Sequence, residues 1–409
     1  MKYKIAVHIQ SEVQFFSLEP LLNRLKKPPY CLDVIVDDLV GDVLGFKEMA
    51  TKIYELLLKN NYKPLKINEI KNKQYDICLT AYVEEKIKAN CYLKFEYGTL
   101  NIKPSLTYTP EMLEGFHGFL CQSTITRELL KVYGQTFPVD NLRFYKKTRK
   151  KGNKNSKKIV LFAVTYNGEE DIKELEKAIK TLKDNYSVII KAHHGTTYLK
   201  EHSKKKDIFR ELADEYYGPE VSLSDLILKA DVCLFDNSSA IGEAMYVNVP
   251  CAIYAKNLDY FKLGDMHTTQ YWLVKAGVLP WANKVESIEN IIKKAMSKEN
   301  RIAQKEAAMM LFPKEFKTGT DGYLKVIDYF LNDQTAREYI ILHDYVVKQK
   351  RLEFRKEKED NERFRKENEE LRQKLEVAEA KILDDSKKKL YKLADKIYNL
   401  EGRIINGKG

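Results

Sequence analysis

Short apolar runs alternate with amphipathic segments along the first part of the chain. The runs at residues 3–9 and 32–36 are continuous enough for strands buried on both faces of a sheet. Between them, apolar residues recur three or four positions apart, as on one face of a helix. This alternation predicts parallel βαβ units. The predicted elements are strands 3–9, 32–36, 75–81 and 115–123 and helices 15–25, 53–58 and 125–133, the last capped by Thr124.

The same alternation starts again at residue 158. Two successive runs of strands and helices predict an α/β protein with two doubly wound lobes. Ligands of such sheets bind in the cleft outside the carboxyl ends of the strands. The predicted elements of the second run are strands 158–165, 187–191, 232–235 and 251–254 and helices 172–182, 224–229 (capped by Ser224) and 240–246.

A basic stretch separates the two runs. It begins at Arg143, ends at Lys158 and holds nine lysines and arginines in sixteen residues, without apolar periodicity. Such a stretch is typical of a solvated linker, and contact with an acidic surface is the alternative. The predicted domains are therefore an N-terminal lobe at 1–150, a second lobe with a return helix at 151–340 and a tail at 341–409.

The tail is charged and follows a seven-residue repeat. Apolar and asparagine residues at two positions of the repeat form a coiled-coil seam, which predicts a homodimer or a partner protein through residues 345–405. A single charged helix is the alternative. The seam shifts by one residue after Asp385. Its positions are Phe354, Asn361, Phe364, Asn368, Leu371, Leu375, Ala378 and Ile382, and then Leu383, Leu390, Leu393, Ile397, Leu400 and Ile404.

Composition limits the partners and the cellular compartment that are expected for this protein. The net charge of +11 favours an anionic partner, but zinc-finger spacing and RNP-like aromatic motifs are absent from the sequence, so nucleic acid is not expected. The six cysteines form no CxxC pair, as expected of buried thiols in a reducing compartment. The N-terminal sequence lacks the apolar stretch of a signal peptide. We therefore expect a cytoplasmic protein, with the basic stretch as a peripheral contact at the inner face of the membrane.

Candidate chemistry concentrates in the second lobe. Ser238 and Ser239 follow a strand and lead directly into a helix, where hydroxyl and amide groups suit a phosphate; a plain helix cap is the alternative. Glu243 lies one turn further on. His193 and His194 end another strand, where an imidazole can donate to a phosphate or exchange a proton. A zinc site is not expected, because no third ligand has the right spacing.

The first lobe offers a weaker signal at residues 95–103. Gly98 and Thr99 mark a turn after an apolar run. Glu96 is a candidate base and Lys103 a candidate anion contact.

The order and spacing of these segments resemble the CDP-glycerol glycerophosphotransferase family, whose members polymerise teichoic acids and act in some capsule systems. The family's Asp-Tyr-Ser-Ser stretch is similar to residues 236–239, with Pro250 and Tyr254 following. Its strand ending in His-Pro is similar to residues 190–193, and its Tyr-x-Pro-Thr strand to residues 162–165. Its Trp-His-Gly-Thr-Pro-Leu-Lys motif is similar to residues 96–103, and residues 118–134 also match.

The resemblance implies a GT-B fold, in which two Rossmann-like lobes face a cleft. It also implies a transferase that uses a nucleotide-diphosphate donor to extend a polymer or lipid-linked acceptor, without a cofactor or a metal. The implied catalytic residues are Glu96 and His193. The implied donor-binding residues are Thr165, Lys191, His193, Asn237, Ser238, Ser239 and Glu243, and the implied acceptor-side residues are Tyr97, Gly98, Thr99 and Lys103.

One departure from the family affects the chemistry. Tyr97 stands where the family has a His taken as the catalytic base, and a tyrosine of ordinary pKa is a poor base near pH 7. Glu96 is the candidate replacement. The departure keeps three hypotheses open: glycerophosphotransfer with a changed acceptor, glycosyl transfer from a nucleotide sugar, and a catalytically silent scaffold that recruits partners through the tail.

Overall fold

A computed structural model describes residues 2–37, 46–84, 86–98, 100, 113–149, 157–165, 172–199, 202–258, 262 and 267–406. These residues form an α/β protein with two parallel sheets and a long C-terminal helix, as predicted. The chain divides into two compact units, Met1–Ile341 and Leu342–Gly409. Both sheets lie in the first unit. In the described residues, no helix has the length and apolarity needed to cross a membrane.

The first lobe is built on a sheet with seven strands among the described residues, in the order β3-β2-β1-β4-β5-β6-β7. Every pair in it is parallel. Residues 5–7 of the central strand β1 are all apolar and buried, as expected where helices cover both faces of a parallel sheet. The strands are β1 Tyr3–His8, β2 Tyr30–Val36, β3 Leu65–Lys66, β4 Tyr75–Thr80, β5 Ala89–Phe95, β6 Gly118–Cys121 and β7 Gln135–Pro138. The described helices here are α1 Glu12–Leu25, α2 Phe46–Lys59 and α3 Thr124–Leu130.

The second lobe is built on a parallel sheet with six described strands, in the order β10-β9-β8-β11-β12-β13. The strands are β8 Lys158–Ala163, β9 Tyr186–Lys191, β10 Glu215–Tyr217, β11 Val232–Phe235, β12 Cys251–Tyr254 and β13 Trp281–Ala282. The described helices are α4 Ile172–Asn185, α5 His194–Tyr198, α6 Ser203–Leu212, α7 Leu223–Lys229, α8 Ala240–Tyr246, α9 Thr269–Lys275, α10 Ile288–Met296 and α11 Lys298–Leu311.

A return helix, α12 (Gly319–Asn332), follows the second lobe in sequence but packs on the first. Tyr323, Ile327 and Phe330 are buried in the same apolar core as β1 and α1. The helix therefore ties the two lobes into one unit. The 73-residue helix α13 (Gln334–Asn406) comes next, and its apolar side chains at Phe354, Phe364 and Leu371 are more than half exposed.

Two helix caps differ from the sequence prediction. Ser123, rather than Thr124, caps α3, and its hydroxyl accepts the amide hydrogen of Thr126 at 3.2 Å. Ser222, rather than Ser224, occupies the cap position of α7. In both cases the helix begins earlier than the apolar periodicity indicates, because the cap residue precedes the first inward-facing side chain.

Candidate active site

The donor side of the candidate site lies at the carboxyl ends of three neighbouring strands, β9, β8 and β11. Lys191 ends β9, Ala163 ends β8, and Ser238 and Ser239 follow β11. Together with His193 they line one cavity, which we call the donor cavity. Adjacent parallel strands bring residues that are distant in sequence to the same edge of the sheet.

His193 and His194 lie side by side at this edge, with ring centroids 3.9 Å apart. The backbone amide of Gly195 donates to His193 Nδ1 at 3.1 Å. Because that nitrogen accepts a hydrogen bond, the proton of the neutral ring is on Nε2. His193 is thus held in the tautomer that can donate to a ligand oxygen. Both imidazoles line the donor cavity.

Lys191 supplies positive charge to the cavity. Its ammonium group lies 3.2 Å from the carbonyl oxygen of Ala192. Burial lowers the pKa of Lys191 to about 8, although Glu220 and Glu12 act in the opposite direction. A bound anion would favour the protonated form, so ligand binding and lysine protonation are coupled.

Ser238 and Ser239 also line the donor cavity. The amide of Ala240 donates to Ser238 Oγ at 3.3 Å, which is weak capping geometry, and Ser239 is the cap residue of α8 without a side-chain cap bond. The alternative of a plain helix cap therefore describes Ser238 only in part. Gln270 fixes the loop by donating to the carbonyl oxygen of Ser238 at 3.2 Å.

Two other predicted donor-binding residues, Thr165 and Asn237, form hydrogen bonds with other groups of the protein. Thr165 donates both its amide and its hydroxyl to Asp236 Oδ2, at 2.7 and 2.5 Å. The side-chain amide of Asn237 donates to the carbonyl oxygen of Asn257 at 2.8 Å. Neither residue is part of the donor-cavity lining. They hold the loops that carry Ser238 and are positioning residues.

Glu243 lines the donor cavity, but a buried arginine occupies one of its oxygens. Arg143 forms an ion pair with Glu243 Oε1, and both side chains are almost completely buried. Arg143 also donates to Ser17 Oγ at 2.7 Å and to the carbonyl oxygen of Tyr97. Burial raises the pKa of Glu243, and Arg143 opposes that shift. Glu243 Oε2 is buried and lacks a hydrogen-bond partner among the described residues, so it can accept from a ligand.

Arg143 is therefore not part of a solvated linker, which corrects the sequence prediction. Two other cations of the basic stretch also bind the second lobe: Lys147 pairs with Asp225 at 2.8 Å, and Arg149 donates to the carbonyl oxygen of Ala230 at 3.0 Å. Residues 150–156 lie outside the described residues. The signal in the sequence was the apolar residues Val139, Leu142 and Phe144, which flank Arg143 in the chain and are all buried.

Glu96 does not face the cleft. Its carboxylate is buried, lies 3.3 Å from the ammonium group of Lys94, and belongs to neither the donor cavity nor the neighbouring cavity of the first lobe. The expectation that Glu96 replaces the missing His is at odds with this geometry. Lys94 lies near the end of β5 and Glu96 directly follows that strand, so the two buried side chains are close enough to pair.

Tyr97 and Gly98 do reach the cleft. Tyr97 lines the donor cavity, and its hydroxyl lies 3.1 Å from that of Tyr82. Burial, together with Tyr82 and Glu96, raises the pKa of Tyr97 well above its ordinary value, so the phenol stays protonated. A Cβ on Gly98 would lie 3.1 Å from Ser239 Oγ, so the two lobes meet closely here. Thr99 and Lys103 lie outside the described residues.

Residues 142–322 match the family described as CDP-glycerol:poly(glycerophosphate) glycerophosphotransferase. The predicted resemblance to that family is confirmed for this region. The glycerophosphotransferase-like region contains Arg143 and every predicted second-lobe residue, whereas Glu96, Tyr97 and Gly98 precede it. No protein of the curated set matches the sequence.

Solved structures share the fold at low sequence identity. A candidate UDP-N-acetylglucosamine 2-epimerase from Listeria monocytogenes has a TM-score of 0.56 and 15% identity, over 82% of this chain and 98% of that one. S. aureus MnaA with UDP has a TM-score of 0.54 and 14% identity, over 82% and 98%. A variant of the wall teichoic acid polymerase TagF soaked with CDPG has a TM-score of 0.50 and 12% identity, over 83% and 88%. These similarities establish a GT-B-like fold.

Proposed function

We propose that the protein is a transferase that binds a nucleotide-diphosphate donor of the CDP-glycerol type in its second lobe and extends a cell-surface polymer such as a teichoic acid. One observation carries the proposal. Ser238, Ser239, His193 and Lys191 converge on one cavity within the region that matches the glycerophosphotransferase family. Hydroxyls, an imidazole and an ammonium group are together the donors that a diphosphate needs.

The proposed roles follow from the geometry. Ser238 and Ser239 hold the phosphates by their hydroxyls. His193 donates from Nε2 to the leaving nucleotide, and Lys191 balances the charge that develops there. The oxygen Oε2 of Glu243 accepts from a hydroxyl of the donor. With Lys191 and these hydrogen-bond donors in place we propose that transfer proceeds without a metal or a further cofactor.

The first lobe receives the acceptor. Phosphoryl transfer passes through a loose transition state in which positioning and electrostatic stabilisation outweigh proton removal. Neither the buried Glu96 nor the protonated Tyr97 serves as the base in this proposal. The acceptor hydroxyl forms the new P–O bond as the bond to CMP breaks, and its proton passes to the phosphate of the released CMP. Closure of the lobes, which Arg143 bridges, brings acceptor and donor together.

A glycosyltransferase of the GT-B type with a UDP-, GDP- or CMP-sugar donor is the alternative. Tyr97 at the position of the family's His favours it, and MnaA with UDP shows that a chain with this fold holds a uridine nucleotide. A silent scaffold is the second alternative. It is favoured by the predicted coiled-coil seam, whose exposed Phe364 and Leu371 suit a second copy of the chain or a partner protein.

Binding of a nucleotide panel tests the proposal. Thermal shifts with CDP-glycerol, UDP-N-acetylglucosamine and a GDP-sugar identify the donor, and release of CMP from CDP-glycerol reports turnover. We expect stabilisation by CDP-glycerol in wild type and none in Ser238→Ala. Preference for a UDP- or GDP-sugar would favour glycosyl transfer. Binding without turnover on any acceptor would favour the scaffold.

We propose that the protein is cytoplasmic and peripheral at the inner face of the membrane. The basic residues after Arg149 support this location, because they can contact an anionic surface. The tail is proposed to form a homodimer through its heptad seam. Sedimentation of the full chain and of a variant with Phe364 and Leu371 changed to Glu tests this, with a dimer expected only for the first.

A further inference from the structure

A second cavity lies on the first-lobe side of the cleft, and most of its lining, including Gln10 and Asp37, was not among the predicted site residues. We call it the acceptor cavity. Tyr97 and His194 line both this cavity and the donor cavity, so the two are neighbours. Its volume of about 370 Å³ lies at the lower end of the ~300–1,000 Å³ typical of small-molecule pockets. It therefore suits a single sugar ring or polyol unit.

The polar lining of this cavity is neutral apart from one carboxylate and one imidazole. Gln10, Ser11, Gln14 and the two tyrosine hydroxyls of Tyr82 and Tyr97 offer hydrogen bonds, while Asp37 offers a carboxylate. Among the described residues that line it, none is a lysine or an arginine. An anionic ligand would therefore meet a carboxylate oxygen, and no lysine or arginine, in the described part of this lining.

Asp37 is held by a buried histidine at the carboxyl ends of neighbouring strands. His8 ends β1, Thr80 ends β4 and Asp37 follows β2. His8 Nε2 lies 2.7 Å from Asp37 Oδ1, and its Nδ1 lies 3.2 Å from Thr80 Oγ1. His8 is completely buried, whereas the Asp37 side chain is 19% exposed. Asp37 is thus the member of the pair that a ligand can reach.

The hydrogen bonds of His8 and Asp37 show where the protons of this pair lie. Thr80 donates its one hydroxyl proton to the carbonyl oxygen of Tyr82 at 2.6 Å, so it must accept from His8 Nδ1–H. The short contact of Nε2 with Asp37 then requires another proton between them. Burial acts to raise the pKa of Asp37, but the hydrogen bond and charge of His8 outweigh it and hold that pKa below its ordinary value. Gln10 and the exposed Lys86 act in the same direction.

An ionised carboxylate only accepts hydrogen bonds. Its second oxygen, Oδ2, lies 3.3 Å from the side-chain amide of Gln10, at the cavity wall. The complement of such an oxygen is a hydroxyl, which donates. We propose that the acceptor cavity binds a neutral hydroxylated unit of the acceptor, a sugar ring or glycerol moiety rather than a phosphate, and that Asp37, held by His8, orients its hydroxyl.

This inference rests on the proposed transferase function and names the chemistry of its acceptor. The strongly held carboxylate is a poor base, so Asp37 is a specificity residue that positions the hydroxyl. An uncharged amide at residue 37 keeps the shape of the side chain but presents one acceptor oxygen and loses the charge.

Ligand-observed NMR titration tests the inference with methyl β-D-glucoside, glycerol and glycerol 3-phosphate as probes. We expect the full-length wild type to bind a neutral probe, and Asp37→Asn to weaken it by about tenfold or more. Asp33→Asn is the matched control, because Asp33 lies on β2, the strand that Asp37 follows, and pairs with Lys73 at 2.7 Å, away from the cavity. Gln10→Leu is a second variant and should also weaken the neutral probe, should Asp37→Asn fail to fold.

Binding of CDP-glycerol, measured in parallel by thermal shift, separates this inference from the proposed function. Unchanged donor binding with a weakened neutral probe supports the inference. Equal probe binding by wild type, Asp37→Asn and Gln10→Leu would overturn it, as would a preference for glycerol 3-phosphate or the absence of neutral-probe binding to wild type. Loss of donor binding in the wild type would instead overturn the proposed function.

Discussion

The two sides of the cleft use their polar side chains differently. On the second-lobe side, Ser238, Ser239 and His193 present donors to the cavity. On the first-lobe side, Glu96 and Lys94 neutralise each other in the interior, and Tyr97 meets Tyr82. The donor side is therefore specified by short local motifs, whereas the acceptor side depends on contacts between distant strands.

Removing the arginine that joins the two sides has the largest expected effect. Arg143→Ala leaves Glu243 buried without its cation, which costs about 3–5 kcal/mol of the free energy of unfolding for a pair of this kind. Denaturant unfolding measures it. Arg24→Ala is the matched control, since Arg24 pairs with Asp321 at 3.0 Å on the exposed surface, where a pair is worth roughly 0–1 kcal/mol. Equal losses would contradict a bridging role for Arg143.

The second largest expected effect is the loss of the His193 imidazole on the donor side. His193→Ala removes the Nε2–H donor and should lower kcat by about 10²–10³, as removal of one donor to a developing charge does in other enzymes. CMP release under saturating donor measures it. His202→Ala, which changes a histidine outside the donor-cavity lining, should retain activity. A fully active His193→Ala enzyme would remove this residue from the mechanism.

The charge of Lys191 is expected to have a smaller effect, on donor affinity, and this effect depends on pH. Its pKa of about 8 means that the ammonium form, which binds phosphate, is lost as pH rises through 8. Donor affinity should therefore fall on going from pH 7 to pH 9 in calorimetric titrations. Lys191→Arg stays charged and should flatten the profile, while Lys191→Met should weaken binding by about 10- to 100-fold at pH 7, the loss of one charge-assisted hydrogen bond. An unchanged profile in Lys191→Met would assign the pH dependence elsewhere.

The contact between the lobes gives the smallest expected effect. Gly98→Ala places a Cβ 3.1 Å from Ser239 Oγ, and crowding of this kind costs roughly 1 kcal/mol. The expected result is a reduction of kcat/KM of up to about tenfold, with the melting temperature little changed. An increase in kcat/KM would show that the two lobes approach each other differently during turnover.

Much of the second lobe could be predicted because its signals are local. Strand 232–235, helix 240–246 and strand 251–254 have the bounds expected from their apolar patterns. The short strands β3 and β13, with two residues each, lie at sheet edges and carry too little pattern to be recognised.

The site was less predictable where it depends on long-range pairing. Arg143 and Glu243 are a hundred residues apart, so no local pattern indicates their pairing. In the sequence, Arg143 resembles the basic residues that follow it and is grouped with the linker. The pairing of His8, Asp37 and Thr80 depends on the strand order β2-β1-β4, which periodicity does not specify. Glu96 follows the end of β5 and pairs with Lys94 in the interior, a burial that the apolar pattern of the sequence does not specify either.

A crystal soaked with CDP-glycerol would show directly where the diphosphate of the donor lies. We expect phosphate oxygens within hydrogen-bond distance of Ser238, Ser239 and His193 Nε2, with Lys191 close by. A diphosphate bound elsewhere, or a fully occupied nucleotide that leaves these four side chains without contact, would contradict it.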